Sequence, residues 1–324
     1  MKAFRFYETG GPEVLRFEDA GLPAPGPGQV RMRNTAVAVN FRDIYIRNGL
    51  HKVASLPSGI GLESAGVIEA LGPDVDGMTI GQRIVCAAGP DGAYAEARNV
   101  PAARAIPLPG AIDDRMAAAM LIRGMTAGYL LHETYKVKPG DTILVHAAAG
   151  GVGLILCQWA KHLGAIVIGT VGRRDKVEVA RAHGCDHVIV YSEENFVEPV
   201  KALTGGAGVP VVYDSVGKTT FEGSLQCVRR RGVLASFGEA SGDPDPVPPR
   251  RLGQLGSIYV THPSLPDYTA TRAELLSAAS RLFEMVQSGG IRITISRTYP
   301  LRDAAQAHRE LESRNSVGSI VLVP

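Results

Sequence analysis

Residues 140–161 read Gly-Asp-Thr-Ile-Leu-Val-His-Ala-Ala-Ala-Gly-Gly-Val-Gly-Leu-Ile-Leu-Cys-Gln-Trp-Ala-Lys. The run 142–147 is short, apolar and rich in β-branched and small residues, and the turn formers Pro139, Gly140 and Asp141 precede it. That pattern predicts a parallel strand buried on both faces. Behind it Val152, Leu156, Trp159 and Leu163 recur at helical spacing, and Gly164 stands where a C-terminal glycine ends a helix. The first turn of such a helix presents N–H groups without helical partners and the positive end of the helix dipole. Glycines at 150, 151 and 153 let a pyrophosphate approach the backbone there, which makes Gly150, Gly151 and Val152 candidate contacts.

The spacing Ala148-x-Gly150-x-x-Gly153 matches the dinucleotide fingerprint, with alanine at its first glycine. A glycine-rich loop that merely turns the chain is the competing reading. Context favours the fingerprint, because a strand precedes it, a helix follows, and a second strand at 165–171 completes a βαβ unit of about 30 residues.

The end of that second strand bears on the cofactor. An NAD site places Asp or Glu about 20 residues beyond the fingerprint to accept from the ribose 2′-hydroxyl, whereas an NADP site puts basic groups there. Here the chain runs Thr170-Val171-Gly172-Arg173-Arg174-Asp175-Lys176, with no carboxylate at the strand tip. Gly172 opens space for a 2′-phosphate, and Arg173, Arg174 and Lys176 offer charge-assisted donors. Asp175 reads as a cap of the next helix or as a ribose acceptor. NADPH is therefore the expected cofactor in preference to NADH.

The chain has 324 residues, 45% of them hydrophobic and 20% charged, which suggests a globular protein of two domains. No stretch of about 18 apolar residues occurs, and the start Met1-Lys2-Ala3-Phe4-Arg5 lacks the apolar core of a signal peptide, so a cytoplasmic protein without membrane association is expected. Cys86, Cys157, Cys185 and Cys227 are far apart, which predicts buried free thiols. A net charge of +2 with mixed signs argues against a nucleic-acid partner. Its one basic run, Arg229-Arg230-Arg231, reads as a solvated helix end.

The character of the chain changes twice. Residues 1–123 carry short alternating strands broken by glycine and proline, at 29–39, 66–71, 83–87 and 93–100, and predict a β-rich, partly open barrel. Residues 124–261 alternate strands with helices. After the fingerprint unit, strands are expected at 187–191, 209–214, 232–237 and 257–261, which together make a six-stranded, doubly wound sheet. Residues 262–324, with a long amphipathic helix at 271–287 and strands near 291–296 and at 318–323, are expected to rejoin the first part. The stretch 242–249, rich in proline, predicts a surface loop.

Together these residues resemble the quinone oxidoreductase and zeta-crystallin branch of the medium-chain dehydrogenase/reductase superfamily. The resemblance rests on 140–161 with Gln158 and Lys161, on Asn40-Phe41-Arg42-Asp43-Ile44-Tyr45-Ile46-Arg47, and on Val212-Tyr213-Asp214-Ser215-Val216-Gly217. It extends to Ser236-Phe237-Gly238, to Glu312-Ser313-Arg314 and, within the bacterial NADPH quinone reductases, to Val260-Thr261-His262-Pro263-Ser264-Leu265. It implies a GroES-like barrel from both chain ends (1–123 and 262–324) and a Rossmann domain (124–261), with the nicotinamide in the cleft between them, and a homodimer. It also implies that Tyr191 and Lys176 contact the 2′-phosphoadenosine, that Asn40, Tyr45 and Tyr129 line the nicotinamide and substrate end, and that Arg314 reaches the cofactor. Ser215, Phe237 and Gly238 follow strands where an open α/β sheet presents loops to ligand, although Ser215 also suits a plain turn and Tyr191 a half-buried strand end.

Many relatives in the superfamily use zinc, held by a cysteine near the Asn40 position and a Gly-His-Glu segment. Here that segment is Gly61-Leu62-Glu63 and no cysteine stands near Asn40, so a metal-free enzyme is expected. Hydride transfer then suits an acceptor that spreads negative charge over conjugated oxygens, with Asn40, Tyr45 or Tyr129 donating a hydrogen bond and water completing protonation. A quinone is the expected small-molecule substrate. An enone or alkenal reductase, or an idle NADPH-binding protein of the crystallin kind, is the alternative.

Overall fold

A computed structural model describes residues 1–87, 91–313 and 315–324. The chain forms two compact units, one of residues 1–122, 271–283 and 293–324, the other of residues 123–270 and 284–292. Residues 262–270, grouped with the barrel on sequence, fall in the second unit. There the Tyr129 hydroxyl donates to the Pro263 carbonyl at 3.2 Å and the Tyr129 ring stacks on Tyr268 at 4.1 Å.

The second unit is built on six parallel strands. Across the sheet they run His187–Val190, Ile166–Val171, Thr142–Val145, Val209–Asp214, Val228–Ser236 and Tyr259–Thr261. In chain order that is 3-2-1-4-5-6, the order of a doubly wound dinucleotide-binding sheet, and it places the switch point between Thr142–Val145 and Val209–Asp214. The central strands are apolar because helices cover them: Leu144, Ile168, Val212 and Leu234 are fully buried among Val197, Val200, Phe221 and Leu225. The helix Gly151–His162 buries Leu154, Ile155, Leu156, Cys157, Trp159 and Ala160, so it is enclosed more completely than one apolar stripe suggests. Gly164, at φ +84°, follows its C-cap Leu163 in the left-handed conformation that suits glycine.

Arg229, Arg230 and Arg231 are not a helix end. They lie within the strand Val228–Ser236, exposed, where the register jumps from Val209↔Val228 to Val211↔Val233. The extra residues bulge from the ladder, and Arg231 takes φ +59° at the bulge. A run with no inward face carries no strand periodicity, which is why it is illegible in sequence.

In the first unit the strand Gln29–Val39 organises the sheet. One edge pairs with Glu63–Leu71; along the other, residues 29–33 pair with Ala97–Pro101 and residues 37–39 with Ser319–Val323. A strand that changes partners midway curls its sheet, giving the open barrel. The strand expected near 291–296 runs instead over Ile295–Pro300, parallel to Ser319–Val323, and its exposed Arg297 and Thr298 blur the apolar alternation. One core lies between Val30, Met32, Ile68 and Ile84. Another packs Ile44 and Ile46 of the helix Phe41–Arg47 against Ala307 and Leu311 of the helix Ala304–Glu312. All four cysteines are free and buried. Among the described residues no helix is long and apolar enough to cross a membrane.

Candidate functional site

The glycine turn owes its shape to backbone contacts. Ala147 sits at φ +51°, its carbonyl accepts the Gly150 N–H at 2.8 Å, and a Cβ at Gly153 would overlap that same carbonyl oxygen. Gly153 is thus required by close approach of helix to turn. Ala148 is tolerated at the first fingerprint position because the left-handed residue is its neighbour, and because the facing residue is Gly169, where a Cβ would lie 2.8 Å from that of Ala148. Gly151 opens the helix Gly151–His162, and a Cβ there would lie 2.6 Å from Arg123 Nε. Arg123 is 6% exposed, and its cation beside the positive end of the helix favours an anion at this turn. It was missed on sequence, although it is the sole charge between Arg115 and His132 in an otherwise apolar stretch.

At the next strand end Gly172 and Tyr191 come together. A Cβ at Gly172 would lie 2.8 Å from the Tyr191 hydroxyl, and the Tyr191 N–H donates to the Val171 carbonyl at 3.1 Å. Of the basic residues that follow, Arg173 forks onto Asp175 at 2.7 and 3.1 Å, and Arg174 forks onto Glu193. Lys176 is half-buried, and burial holds its ammonium below the ordinary lysine range, with Arg173 adding to the effect and Asp175 opposing it. Asp175 therefore acts first on Arg173.

Beyond the fourth strand, Ser215 and Gly238 pack closely, since a Cβ at Gly238 would lie 2.9 Å from the Ser215 carbonyl oxygen; the Phe237 N–H donates to the Asp214 carbonyl. The loop is held from beneath by a buried network absent from the sequence reading. Asp214 accepts from the N–H groups of Val216 and Gly217, from Thr220 Oγ1 and from Ser224 Oγ at 2.8 Å. Because Ser224 donates to the carboxylate, its oxygen accepts from His146 Nε2 at 2.9 Å, and His146 Nδ1 accepts from Thr170 Oγ1 at 2.8 Å. Burial keeps His146 neutral, lowering its pKa, with Asp214 opposing. The network ties the carboxyl ends of three strands together at the edge where ligands bind such sheets.

Tyr129 closes the helix Asp114–Tyr129, which continues as a π turn, Leu130–Thr134. Its ring lies 8° from coplanar with Tyr268, and the Tyr268 hydroxyl meets Thr134 Oγ1 at 2.9 Å. Burial, with Tyr268 beside it, pushes the Tyr129 phenol well above its ordinary pKa.

In the first unit Asn40 and Tyr45 share one short helix, Phe41–Arg47. Asn40 is its N-cap: a capping box ties the Asn40 side chain to the Asp43 backbone and the Asp43 carboxylate to the Asn40 N–H at 2.9 Å. Asn40 Nδ2 also donates to Glu63 Oε2 at 2.9 Å. Tyr45 is half-buried, edge-on to His51 with ring centroids 5.2 Å apart. Asp43 is held by Tyr94, whose hydroxyl donates to it at 3.0 Å; burial raises its pKa to about 6, with the Asn40 N–H and Tyr94 opposing. Arg314 lies outside the described residues.

Residues 26–110 match the family model of the alcohol dehydrogenase GroES-like domain, and residues 151–281 that of zinc-binding dehydrogenase. A quinone oxidoreductase of Pseudomonas aeruginosa is 48% identical over 323 residues, covering 100% of this chain and 99% of the relative. The chain belongs to the quinone oxidoreductase family. A 2-haloacrylate reductase of Burkholderia sp. is 46% identical over 324 residues, covering 98% of this chain and 97% of the relative. The solved structure of Escherichia coli quinone oxidoreductase complexed with NADPH matches with a TM-score of 0.98 at 46% identity, covering 100% of each chain. The two units are accordingly a GroES-like domain and a Rossmann domain.

Zinc, which the second family model carries in its description, does not fit the residues present. Glu63 is already the acceptor of Asn40 Nδ2 and of the Ile122 N–H, and its neighbour Leu62 has no donor atom. Among the described residues no group of three His, Cys, Asp or Glu side chains is placed to hold a metal.

Proposed function

We propose that this member of the quinone oxidoreductase family is a zinc-independent NADPH:quinone oxidoreductase. The observation that carries the cofactor reading is the cradle of absent side chains along the strand ends. At Gly151 and Gly172 the missing Cβ lets Arg123 Nε and the Tyr191 hydroxyl lie close against the backbone, and both are donors that suit an anion. Gly150, Gly151 and Val152 are assigned to the pyrophosphate, and Gly172, Arg173, Lys176 and Tyr191 to the 2′-phosphoadenosine. Ser215, Phe237, Gly238 and Arg314 are assigned to the rest of the cofactor, following the family resemblance. NADPH, when bound, supplies the hydride.

The protein's part is to orient the acceptor and stabilise the charge that develops on its oxygen. Among Asn40, Tyr45 and Tyr129, the Tyr129 hydroxyl hydrogen is directed at the Pro263 carbonyl, which favours a positioning role for that ring. An amide nitrogen carries two hydrogens, and Glu63 takes one from Asn40, so Asn40 and Tyr45 are the proposed donors to the acceptor oxygen. Water supplies the proton that completes the hydroquinone.

The 46% identity to a 2-haloacrylate reductase favours a second reading, reduction of an activated carbon–carbon double bond with the same cofactor. Steady-state NADPH oxidation with 1,4-benzoquinone and with 2-chloroacrylate, side by side, separates the two. A benzoquinone rate above the enzyme-free control is expected. No excess rate overturns the first reading, and turnover of chloroacrylate alone establishes the second. We also propose a homodimer, formed through the edge strand Tyr259–Thr261, where Tyr259 is 61% exposed. Light scattering is expected to give twice the chain mass, and a monomer mass overturns it.

A further inference from the structure

Glu63 is fully buried at the start of the strand Glu63–Leu71. A buried carboxylate is tolerated only where hydrogen bonds and opposite charge satisfy it, and each oxygen here meets a donor, with the buried Arg98 cation acting on it as well. Its Oε2 accepts from Asn40 Nδ2 at 2.9 Å, and its Oε1 accepts from the Ile122 N–H at 2.7 Å. That pairing explains why an acid stands here. Glutamine, isosteric and uncharged, would turn an NH2 group toward one of the two N–H donors and lose a hydrogen bond wherever it pointed.

The same carboxylate sets the Asn40 amide. The capping box holds the Asn40 side chain against the Asp43 backbone, and the Asp43 carboxylate holds the Asn40 N–H. Glu63 fixes the amide nitrogen from the other side. A flipped amide would turn its oxygen toward the Glu63 carboxylate, so the second Nδ2 hydrogen has one direction.

We propose that Glu63 is a positioning residue for hydride transfer, acting through Asn40 by fixing the orientation of its amide donor. This rests on the reading of Asn40 as a donor to the acceptor oxygen. It gives Glu63, where zinc-using relatives carry the acid of a Gly-His-Glu segment, a task that needs no metal.

The test is a double-mutant cycle on the full chain, reading kcat and KM for 1,4-benzoquinone, the Kd of NADPH by fluorescence, and the melting temperature. Glu63→Gln is expected to lower kcat about tenfold or more, as misplacement of a donor does, and to leave the NADPH Kd within about twofold. In an Asn40→Ala background the same change is expected to cost no further kcat, because the residue it acts through is gone. Independent, additive losses in kcat overturn the proposal. If Glu63→Gln folds poorly, the pair Asn40→Asp with Glu63→Gln restores one donor and one acceptor in reversed polarity. This pair is expected to recover the melting temperature but not kcat, and recovery of kcat overturns the proposal. If Asn40→Ala alone leaves kcat unchanged, it is the reading of Asn40 that fails; if it lowers kcat and Glu63→Gln does not, only the role of Glu63 fails.

Discussion

Single residues decide whether the cofactor turn can exist. Gly153 has no room for a side chain against the Ala147 carbonyl, so Gly153→Ala must push the helix from the turn. It is expected to cost about 1–3 kcal/mol of stability, as overpacking does, and to weaken NADPH at least tenfold. Denaturant unfolding and fluorescence titration measure the two effects. Tyr129 and Tyr45 are expected to part company on loss of the hydroxyl. Tyr129→Phe strands the Pro263 carbonyl and should cost about 1 kcal/mol with kcat nearly unchanged, whereas Tyr45→Phe should lower kcat with little change in stability. Equal kcat losses in steady-state assays would return Tyr129 to the list of donors. Asn40, Tyr45 and the glycines were legible on sequence by type and spacing. Arg123 and the role of Glu63 were not, because their partners are distant along the chain, and Asp214 was visible only as a member of a motif, without the network it holds.

At the scale of elements, a buried polar chain joins the helices Phe41–Arg47 and Ala304–Glu312. Arg47, 1% exposed, donates from Nη1 to His308 Nδ1 at 3.0 Å, from Nε to the Gly10 carbonyl at 3.0 Å, and also pairs with Glu312. Arginine cannot accept, so His308 Nδ1 does, and its protonated Nε2 faces the Tyr94 hydroxyl at 2.9 Å. Arg47→Met strands the Gly10 carbonyl and His308 Nδ1, while the exposed Glu312 turns to water, and should cost about 1–3 kcal/mol in denaturant unfolding. Burial first and then the Arg47 charge push the His308 pKa down to about 3. An unfolded histidine takes up its proton below about 6.5 while folded His308 does not, so its contribution is present above that value and is lost as pH falls. By pH 5 the loss is about 2 kcal/mol, and Asp43, protonated more readily folded than unfolded, returns about 1. Urea midpoints should therefore fall between pH 7 and pH 5, and His308→Gln should shrink that fall or reverse it. The helices themselves were visible as apolar periodicity, but no periodicity announces which polar side chains will meet across them.

For the molecule as a whole, discrimination between cofactors is the property most open to measurement. A ligand that binds only the folded state stabilises it by mass action, about 2.7 kcal/mol at a hundred times its Kd. NADPH is expected to raise the melting temperature more than NADH at equal concentration, and Lys176→Ala to narrow the difference chiefly by weakening NADPH. Equal shifts for the two cofactors in the wild-type chain would contradict the assignment of Gly172, Arg173, Lys176 and Tyr191 to the extra phosphate. Higher salt should narrow the difference too, since an exposed ion pair is screened.

Local sequence was enough for the Rossmann half, because buried parallel strands must be apolar runs and a phosphate turn must be glycine-rich, and both constraints act within a few residues. It also led to the expectation of a metal-free site, since no cysteine stands near Asn40 and the Gly-His-Glu segment reads Gly61-Leu62-Glu63. Partnership across the chain was decided only in three dimensions. The bulge that places Arg229–Arg231 in a strand, the fit of Ala148 against Gly169, the commitment of the Tyr129 hydroxyl to Pro263, and the clasp of Glu63 on Asn40 each join residues whose separation in sequence carries no periodic signal. Packing brings such pairs together, and hydrogen-bond direction, set by which atom can donate, then determines what each can do.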